Sequence, residues 1–133
     1  MQNDRENWER VKARLATSKF RSGFHLNSAM LEYCRARGKE LIRRHCLEFV
    51  RQRLAPAHPE NDGRQTPWNG HPCFVAQHAT GCCCRRCLQK WHRIPEGRTL
   101  STEEIQYIAG ILICWIEDEN GFLPVTAKEE YLL

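Results

Sequence analysis

Five of the eight cysteines in this 133-residue chain lie within fifteen consecutive residues, between Cys73 and Cys87. Crowding of this kind favours a metal site or a reactive thiol over a framework of distributed disulfides. A chain of this length can also bury a hydrophobic core of its own, so an ion would add to a fold that other contacts support. The cysteine-rich segment is therefore the strongest local constraint, and the rest of the chain must supply the core.

The centre of this segment reads Cys84-x2-Cys87-x4-His92. Two thiolates three residues apart can hold one ion from a single turn, and zinc takes four ligands in a tetrahedron. A turn through Thr80 and Gly81 would bring an upstream histidine back to complete the set. The spacing therefore predicts a zinc site with four ligands, His78, Cys84, Cys87 and His92, for which His71 and Cys83 are alternates.

Residues 83–92 read as a short helix, and this sets a limit on the site. Five residues separate Cys87 from His92, which places them off a common face of an ideal helix. We expect the helix to turn before His92, because the residue before Pro95 avoids helical backbone. Buried thiols without metal, a redox pair with Arg85 and Arg86 between its cysteines, and an iron–sulfur cluster are the other interpretations.

The charge is distributed unevenly along the chain. Residues 1–100 carry nineteen basic and nine acidic side chains, and residues 101–133 carry one lysine and seven acids, within a net charge of +4. Fifteen of the twenty basic residues are arginine, which binds phosphate and carboxylate through two parallel hydrogen bonds. This favours nucleic acid or an acidic protein surface as partner, unless the basic face simply pairs with the acidic end. The anion-binding candidates are Arg85, Arg86, Arg93 and Arg98.

Apolar residues at helical spacing predict a mainly α fold, a single compact helical domain over residues 1–120 with a small irregular or β metal-binding segment. The expected helices cover 4–17, 28–37, 39–54 and 83–92, and a last apolar helix begins at Ser101 or Thr102 and ends at Gly121. Residues 20–26 read as a connector and 55–70 as a long loop, which in compact domains is often functional. Cys73–Ala76 could form a short strand, and residues 121–133 a loosely attached tail.

The termini and apolar runs indicate the compartment. The apolar run Ile105–Ile116 is too short to cross a bilayer, and the polar start shows no apolar signal core, so we expect a cytoplasmic protein without a membrane segment. A reducing compartment disfavours structural disulfides. We therefore interpret Cys34, Cys46 and Cys114, which lie inside helical patterns, as small buried hydrophobic residues.

Several stretches resemble a bacterial and phage family known only as the domain of unknown function numbered 4186. The resemblance covers about residues 10–118, and Cys73 and Cys82 depart from its pattern. It implies a compact domain and no established activity. The matching stretches are Phe20-Arg21-x-x-Phe24-His25-Leu26, Arg53-Leu54-Ala55-Pro56, Asn61-Asp62-Gly63-x-Gln65-Thr66-Pro67, Gly70-His71-Pro72-x-Phe74-x-Ala76-Gln77-His78-Ala79-Thr80, Cys83-Cys84-Arg85-x-Cys87-Leu88, Trp91-His92-x-Ile94-Pro95-x-Gly97 and Leu100.

Three functions agree with these features. The first is a zinc-stabilised binding module for nucleic acid or an anionic protein partner, whose binding would weaken with salt. The second is a metal-dependent hydrolase or nuclease with an open zinc position and His71 or Asp62 as general base. The third is a phage-type protein that inhibits or modifies a host machine. Four protein ligands would favour the module, and a metal-bound water would favour the enzyme.

Overall fold

The structure is a computed structural model that describes residues 3–122 of the chain. These residues form seven helices and no strand, which confirms the prediction of a mainly α fold in one compact domain. The predicted tail falls almost entirely outside the described residues. In chain order the helices are α1 (Asp4–Leu15), α2 (Lys19–Ser22), α3 (Ser28–Arg37), α4 (Lys39–Arg53), α5 (Pro72–Thr80), α6 (Arg85–His92) and α7 (Thr102–Asp118).

Helix α7 lies at the centre of the fold, as its almost uniformly apolar sequence predicts. All nine residues from Ile108 to Ile116 are buried, and α4, α1 and α5 pack around them. Ser101 starts the helix with a capping box, in which its hydroxyl accepts the Glu104 N–H while the Glu104 carboxylate accepts the Ser101 N–H. None of the helices formed by residues 3–122 combines the length and apolar character that a membrane span requires.

Polar contacts hold α1 against the far end of α7. The Trp8 indole N–H donates to Asp118 at 2.7 Å, and Arg5 contacts Glu117 and Asp118 at 2.9 and 2.8 Å. Lys12 also reaches Asp118, at 3.2 Å. The basic first part of the chain thus pairs in part with the acidic last part, which accounts for some of the charge asymmetry without an external partner.

The expected strand at Cys73–Ala76 is wrong, because these residues lie inside helix α5. His71 caps that helix, since its Nδ1 accepts the Cys73 N–H at 3.0 Å, and Pro72 occupies the first turn. All nine residues of α5 are buried. A helix that is covered on every side lacks the polar face that separates helical from strand periodicity, so the apolar run was ambiguous.

The expectation that no disulfide forms is also wrong at one pair. Cys46 of α4 and Cys73 of α5 are joined, with their Cα atoms 5.7 Å apart. The bond ties the start of α5 to the middle of α4, and Cys46 is therefore more than a small buried hydrophobic residue. Cys34 and Cys114 are buried and free, as expected of residues that only fill the core.

The connections between helices differ from expectation in two places. Residues 20–26, which we expected to be a connector, include the end of the short helix α2, whose N-cap is Ser18. Helix α6 remains helical through His92 instead of turning before it, and Arg93 then takes the left-handed conformation with φ 58°. The long loop between α4 and α5 contains no helix, as predicted.

Candidate metal centre

Three cysteines meet where the α5–α6 turn runs into helix α6. Gly81 ends α5 with φ 71°, a left-handed conformation that reverses the chain tightly. Cys84 then caps α6, so that its sulfur lies 3.4 Å from the Cys87 N–H and 3.1 Å from the Cys87 sulfur. The sulfurs of Cys83, Cys84 and Cys87 all lie within 4.8 Å of one another, and this group could hold a metal ion.

Arg21 of helix α2 brings a positive charge to these sulfurs. Its guanidinium lies 3.5 Å from the Cys83 sulfur and 3.2 Å from the Cys87 sulfur, and it donates to the His78 carbonyl at 2.7 Å. Composition and spacing did not single out Arg21, because about sixty residues separate it from the cysteines. The only signal was its place in the stretch Phe20–Leu26.

The surroundings of Cys83 and Cys87 shift the pKa values of their thiols in opposite directions. Hydrogen bonds from the Cys83 and Cys84 thiols, together with the Arg21 guanidinium, hold the pKa of Cys87 far below its ordinary value. The pKa of Cys83 is raised, because its thiol donates to its neighbours and is largely buried. Of these two thiols, Cys87 is therefore the one whose surroundings favour the thiolate, which is the form that binds a metal ion.

His78 presents an unpaired ring nitrogen inside the protein. Its Nε2 lies 3.2 Å from the Thr66 carbonyl and 3.1 Å from the Pro67 carbonyl, and because carbonyls only accept, Nε2 carries the proton. Its Nδ1 then bears a lone pair and is buried without a hydrogen-bond partner. Burial also lowers the pKa of His78, so the ring is neutral. Trp68 stacks on it at 3.9 Å.

His78 and His92 lie outside the group of ligand atoms within 4.8 Å of one another, to which Cys83, Cys84 and Cys87 belong. Both ring nitrogens of His92 have other partners. Its Nε2 lies 2.7 Å from the Thr80 carbonyl, and its Nδ1 lies 2.8 Å from the Tyr107 hydroxyl. Since α6 stays helical through His92, the imidazole points along a different face from Cys87, as the five-residue spacing dictates.

The two candidate bases, His71 and Asp62, are also outside the cysteine group. His71 is 8% exposed, and burial lowers its pKa to about 4. Its Nδ1 caps α5, and its Nε2 lies 2.9 Å from the Nδ1 of His45. Asp62 is exposed in the loop between α4 and α5. Both ring nitrogens of His71 therefore form hydrogen bonds within the protein, which is a structural role.

The expectation that Arg85 faces an anionic partner is wrong. Arg85 is 1% exposed, and its guanidinium donates to four backbone carbonyls between 2.8 and 3.3 Å away. Arg98 is exposed but binds both carboxylate oxygens of Glu104, at 2.7 and 2.6 Å. Arg86 and Arg93 are exposed, and their side chains form no hydrogen bond or ion pair with any residue of the described range.

Comparison with known proteins places the chain in a family and gives it no structural relative. No solved structure matches the chain. A family model matches residues 9–117, a range that includes all seven helices at least in part and the whole cysteine group. This confirms the resemblance that the motifs between Phe20 and Leu100 carry. The chain belongs to the family described as Domain of unknown function (DUF4186).

Proposed function

We propose that this protein binds one zinc ion through the thiolates of Cys83, Cys84 and Cys87 and the imidazole of His78. The observation that carries the proposal is the placement of three sulfurs within 4.8 Å of one another. Sulfurs that share a tetrahedral zinc are ~3.8 Å apart, given Zn–S bonds of about 2.3 Å. The 3.1 Å between Cys84 and Cys87 then opens slightly on binding. Cys83 takes the place that the spacing alone gave to His92.

His78 suits the fourth position because its free nitrogen is the one with a lone pair. Ligating histidines usually donate their other N–H to a carbonyl or carboxylate, which fixes the tautomer and the ring plane. The Thr66 and Pro67 carbonyls occupy that position for Nε2. A buried Nδ1 without a partner costs about 1–3 kcal/mol, and coordination would remove that cost. Coordination would require Nδ1 to move closer to the sulfurs, because His78 lies outside the group of ligand atoms within 4.8 Å of one another.

Charge balance supports the same ligand set. Three thiolates and one Zn²⁺ leave a net charge of −1, which is costly to bury without a cation nearby. Arg21 supplies that cation, since its guanidinium already contacts two of the three sulfurs. Neutral His78 adds no further charge. The complete site of four ligands, ion and arginine is therefore neutral overall.

A structural role for the ion agrees better with this arrangement than a catalytic one. Four protein ligands leave no open position for water, and sites rich in thiolate are usually closed. The proposed general bases are elsewhere, with His71 bound to His45 and Asp62 in the exposed loop. The hydrolase or nuclease alternative would need one ligand of the four to be absent.

The partner that we propose for this module is anionic, either nucleic acid or an acidic protein surface. Two observations support it: Arg86 and Arg93 of the α6 region are exposed without a carboxylate partner among residues 3–122, and the large aromatic side chains of Trp68 and Phe20 are 62% and 55% exposed. Arginines bind phosphate, and exposed aromatic rings can stack on bases. Loss of binding between low and high salt would be expected, and binding that survives high salt would contradict it.

The metal proposal is tested on protein purified without chelator, by elemental analysis and X-ray absorption. We expect one zinc per chain with three sulfur ligands and one nitrogen ligand. Cys87→Ser and His78→Ala should lose most of the metal, whereas Cys82→Ala, a matched change at a buried neighbour outside the group, should keep it. Chelation should lower the melting temperature by roughly 10 °C, since the binding energy of a structural ion contributes to folding.

Three outcomes would overturn the metal proposal. Protein without metal, even after zinc is added to the reduced form, would be the first. Equal metal loss in the folded Cys82→Ala control would show that metal binding does not depend on the proposed ligands in particular. Isolation of a Cys84–Cys87 disulfide that still forms and reduces reversibly when zinc is present in excess would favour dithiol redox chemistry instead.

A further inference from the structure

A pocket lies on the face where α1 meets the end of α6 and the start of α7. It has a volume of about 490 Å³, which is within the range of small-molecule sites. We propose that this pocket binds the phosphate group of a small phosphate ester. It shares no residue with the proposed zinc ligands, so it is tested separately from the zinc proposal, whereas Arg93 is common to this pocket and to the surface proposed for an anionic partner. The residues that line it are Asn7, Arg10, Val11, Arg14, His92, Arg93 and Tyr107.

Three arginines converge on this pocket without a carboxylate to neutralise them. Arg10 and Arg14 are one turn apart on α1, and Arg93 follows α6 in the left-handed conformation. In the described part of the chain, none of the three forms an ion pair or a side-chain hydrogen bond. Arg44 and Arg51 on α4 also lack such partners among residues 3–122, so it is the placement of three arginines around one concavity that distinguishes this pocket. Three positive charges around one concavity favour an anion.

Asn7 also lines the pocket and is 4% exposed. Its Nδ2 has no hydrogen-bond partner among the described residues, but it is covered too completely for an atom in the pocket to reach it. The proposal therefore rests on the three arginines and not on this amide.

The remaining polar groups restrict the ligand further. The Thr80 carbonyl accepts from Nε2 of His92, so the Nδ1 of that ring is an acceptor for the Tyr107 hydroxyl proton. The Tyr107 hydroxyl therefore donates its proton to His92 and not to a ligand. The three arginines offer N–H donors, and phosphate oxygens only accept. Such a wall suits phosphate better than an alcohol or an amine.

Carboxylates nearby belong to a different concavity. Glu103 and Glu104 line a separate pocket of about 240 Å³ that shares His92 and Tyr107 with the first. Glu104 is already bound by Arg98. The space in the larger pocket exceeds that of a phosphate ion, which leaves room for an organic part such as a nucleoside.

The test is calorimetric titration of the full chain with three probes: inorganic phosphate, a nucleoside 5′-monophosphate and a short single-stranded oligonucleotide. The Arg10→Gln/Arg14→Gln double variant should bind each probe at least tenfold more weakly. Arg93→Asn removes the third guanidinium and keeps the left-handed backbone, which asparagine tolerates, and it should weaken binding as well. The matched control is Arg44→Gln/Arg51→Gln, with the same charge change at exposed positions on α4.

The outcomes separate a built site from general electrostatic attraction. Saturable binding of phosphate or of the monophosphate, lost in both pocket variants and retained in the control, supports the proposal, and the tighter of the two probes identifies the source of the phosphate. No binding of either small probe overturns it, as does binding of the oligonucleotide alone. An equal loss in the control also overturns it. Unchanged circular dichroism of each variant shows that the fold is retained.

Discussion

Replacing Arg85 with methionine tests whether this buried arginine stabilises the fold through its contacts with backbone carbonyls. The side chain is 1% exposed, and all its terminal donors point at backbone. One nitrogen donates to the carbonyls of Leu54 and Pro56, at 3.3 and 2.9 Å, and the other to those of Pro95 and Arg98, at 2.9 and 2.8 Å. The arginine therefore joins the end of α4 to the connection between α6 and α7.

The expected loss in the free energy of unfolding depends on the polar groups that the substitution leaves without a partner. A hydrogen bond to a charged donor contributes about 1.5–3 kcal/mol, and adding this value four times would overestimate the loss of stability. The cost of burying the guanidinium, several kcal/mol, offsets part of them and disappears with the charge. The substitution leaves four carbonyls without this donor, at about 1–3 kcal/mol for each one that stays buried and unpaired, so we expect a net loss of about 3–5 kcal/mol. For a chain of this size that corresponds to a fall of roughly 10–20 °C in melting temperature.

Urea and thermal unfolding, followed by circular dichroism at 222 nm, measure this effect against a neighbour. Arg86→Met makes the same chemical change one residue later at an exposed position, and we expect it to alter stability by about 0.5 kcal/mol or less. Equal melting temperatures for the two variants would refute the assignment. So would an Arg85→Met protein of normal stability that has lost affinity for anions, since Arg85 would then face a partner.

Three further predictions concern the backbone, the pH dependence and a helix cap. Gly81→Ala should destabilise the protein more than Gly97→Ala, because both have positive φ but only at Gly81 would the added carbon meet the Trp91 ring, at 2.5 Å; equal losses in urea unfolding would contradict this. Burial lowers the pKa of His71 to about 4, so the unfolded chain binds more protons below its ordinary pKa of 6.5, and metal-free protein should lose stability as pH falls from about 6.5 to about 4. A His71→Gln variant should show a shallower loss in melting temperature over that interval. Ser101→Ala should cost about 1 kcal/mol through loss of the capping box, and an unchanged unfolding midpoint would show that the cap contributes nothing.

Helices with one polar face were predicted well, because their periodicity and caps are local properties of the sequence. Helix α4, for example, was expected over Lys39–Leu54 and occupies Lys39–Arg53. Helix α5 could not be recognised in the same way, since it has no exposed face and its cap is a histidine. The Cys46–Cys73 pair was missed for a related reason: it depends on how two helices pack.

In the candidate metal centre, too, the residues that are adjacent in sequence were predicted, and the residue that folding brings to them was not. The cysteines of the segment were identified because they are adjacent in sequence, and the structure brings Cys83, Cys84 and Cys87 together. Arg21 was not identified by its chemistry, since its contact with the sulfurs spans more than sixty residues. Arg85 and Arg86 could not be distinguished, because neighbouring arginines on a helix differ only in the direction in which they point.

The contacts around the cysteine segment explain why an ion would adjust this site and not create it. The Thr66 hydroxyl donates to the Cys83 carbonyl at 2.7 Å, and the Gln77 amide donates to the Cys82 carbonyl at 3.0 Å. Arg21 holds the end of α5 and Arg85 holds α6, both through backbone carbonyls. None of these hydrogen bonds involves a sulfur atom, so they persist when the thiols hold no ion. A zinc finger unfolds without its metal because nothing else fixes its ligands, whereas here four hydrogen-bonding side chains hold the backbone of the turn. Under the zinc proposal, chelation should therefore lower the melting temperature and leave the helical circular dichroism at 25 °C intact.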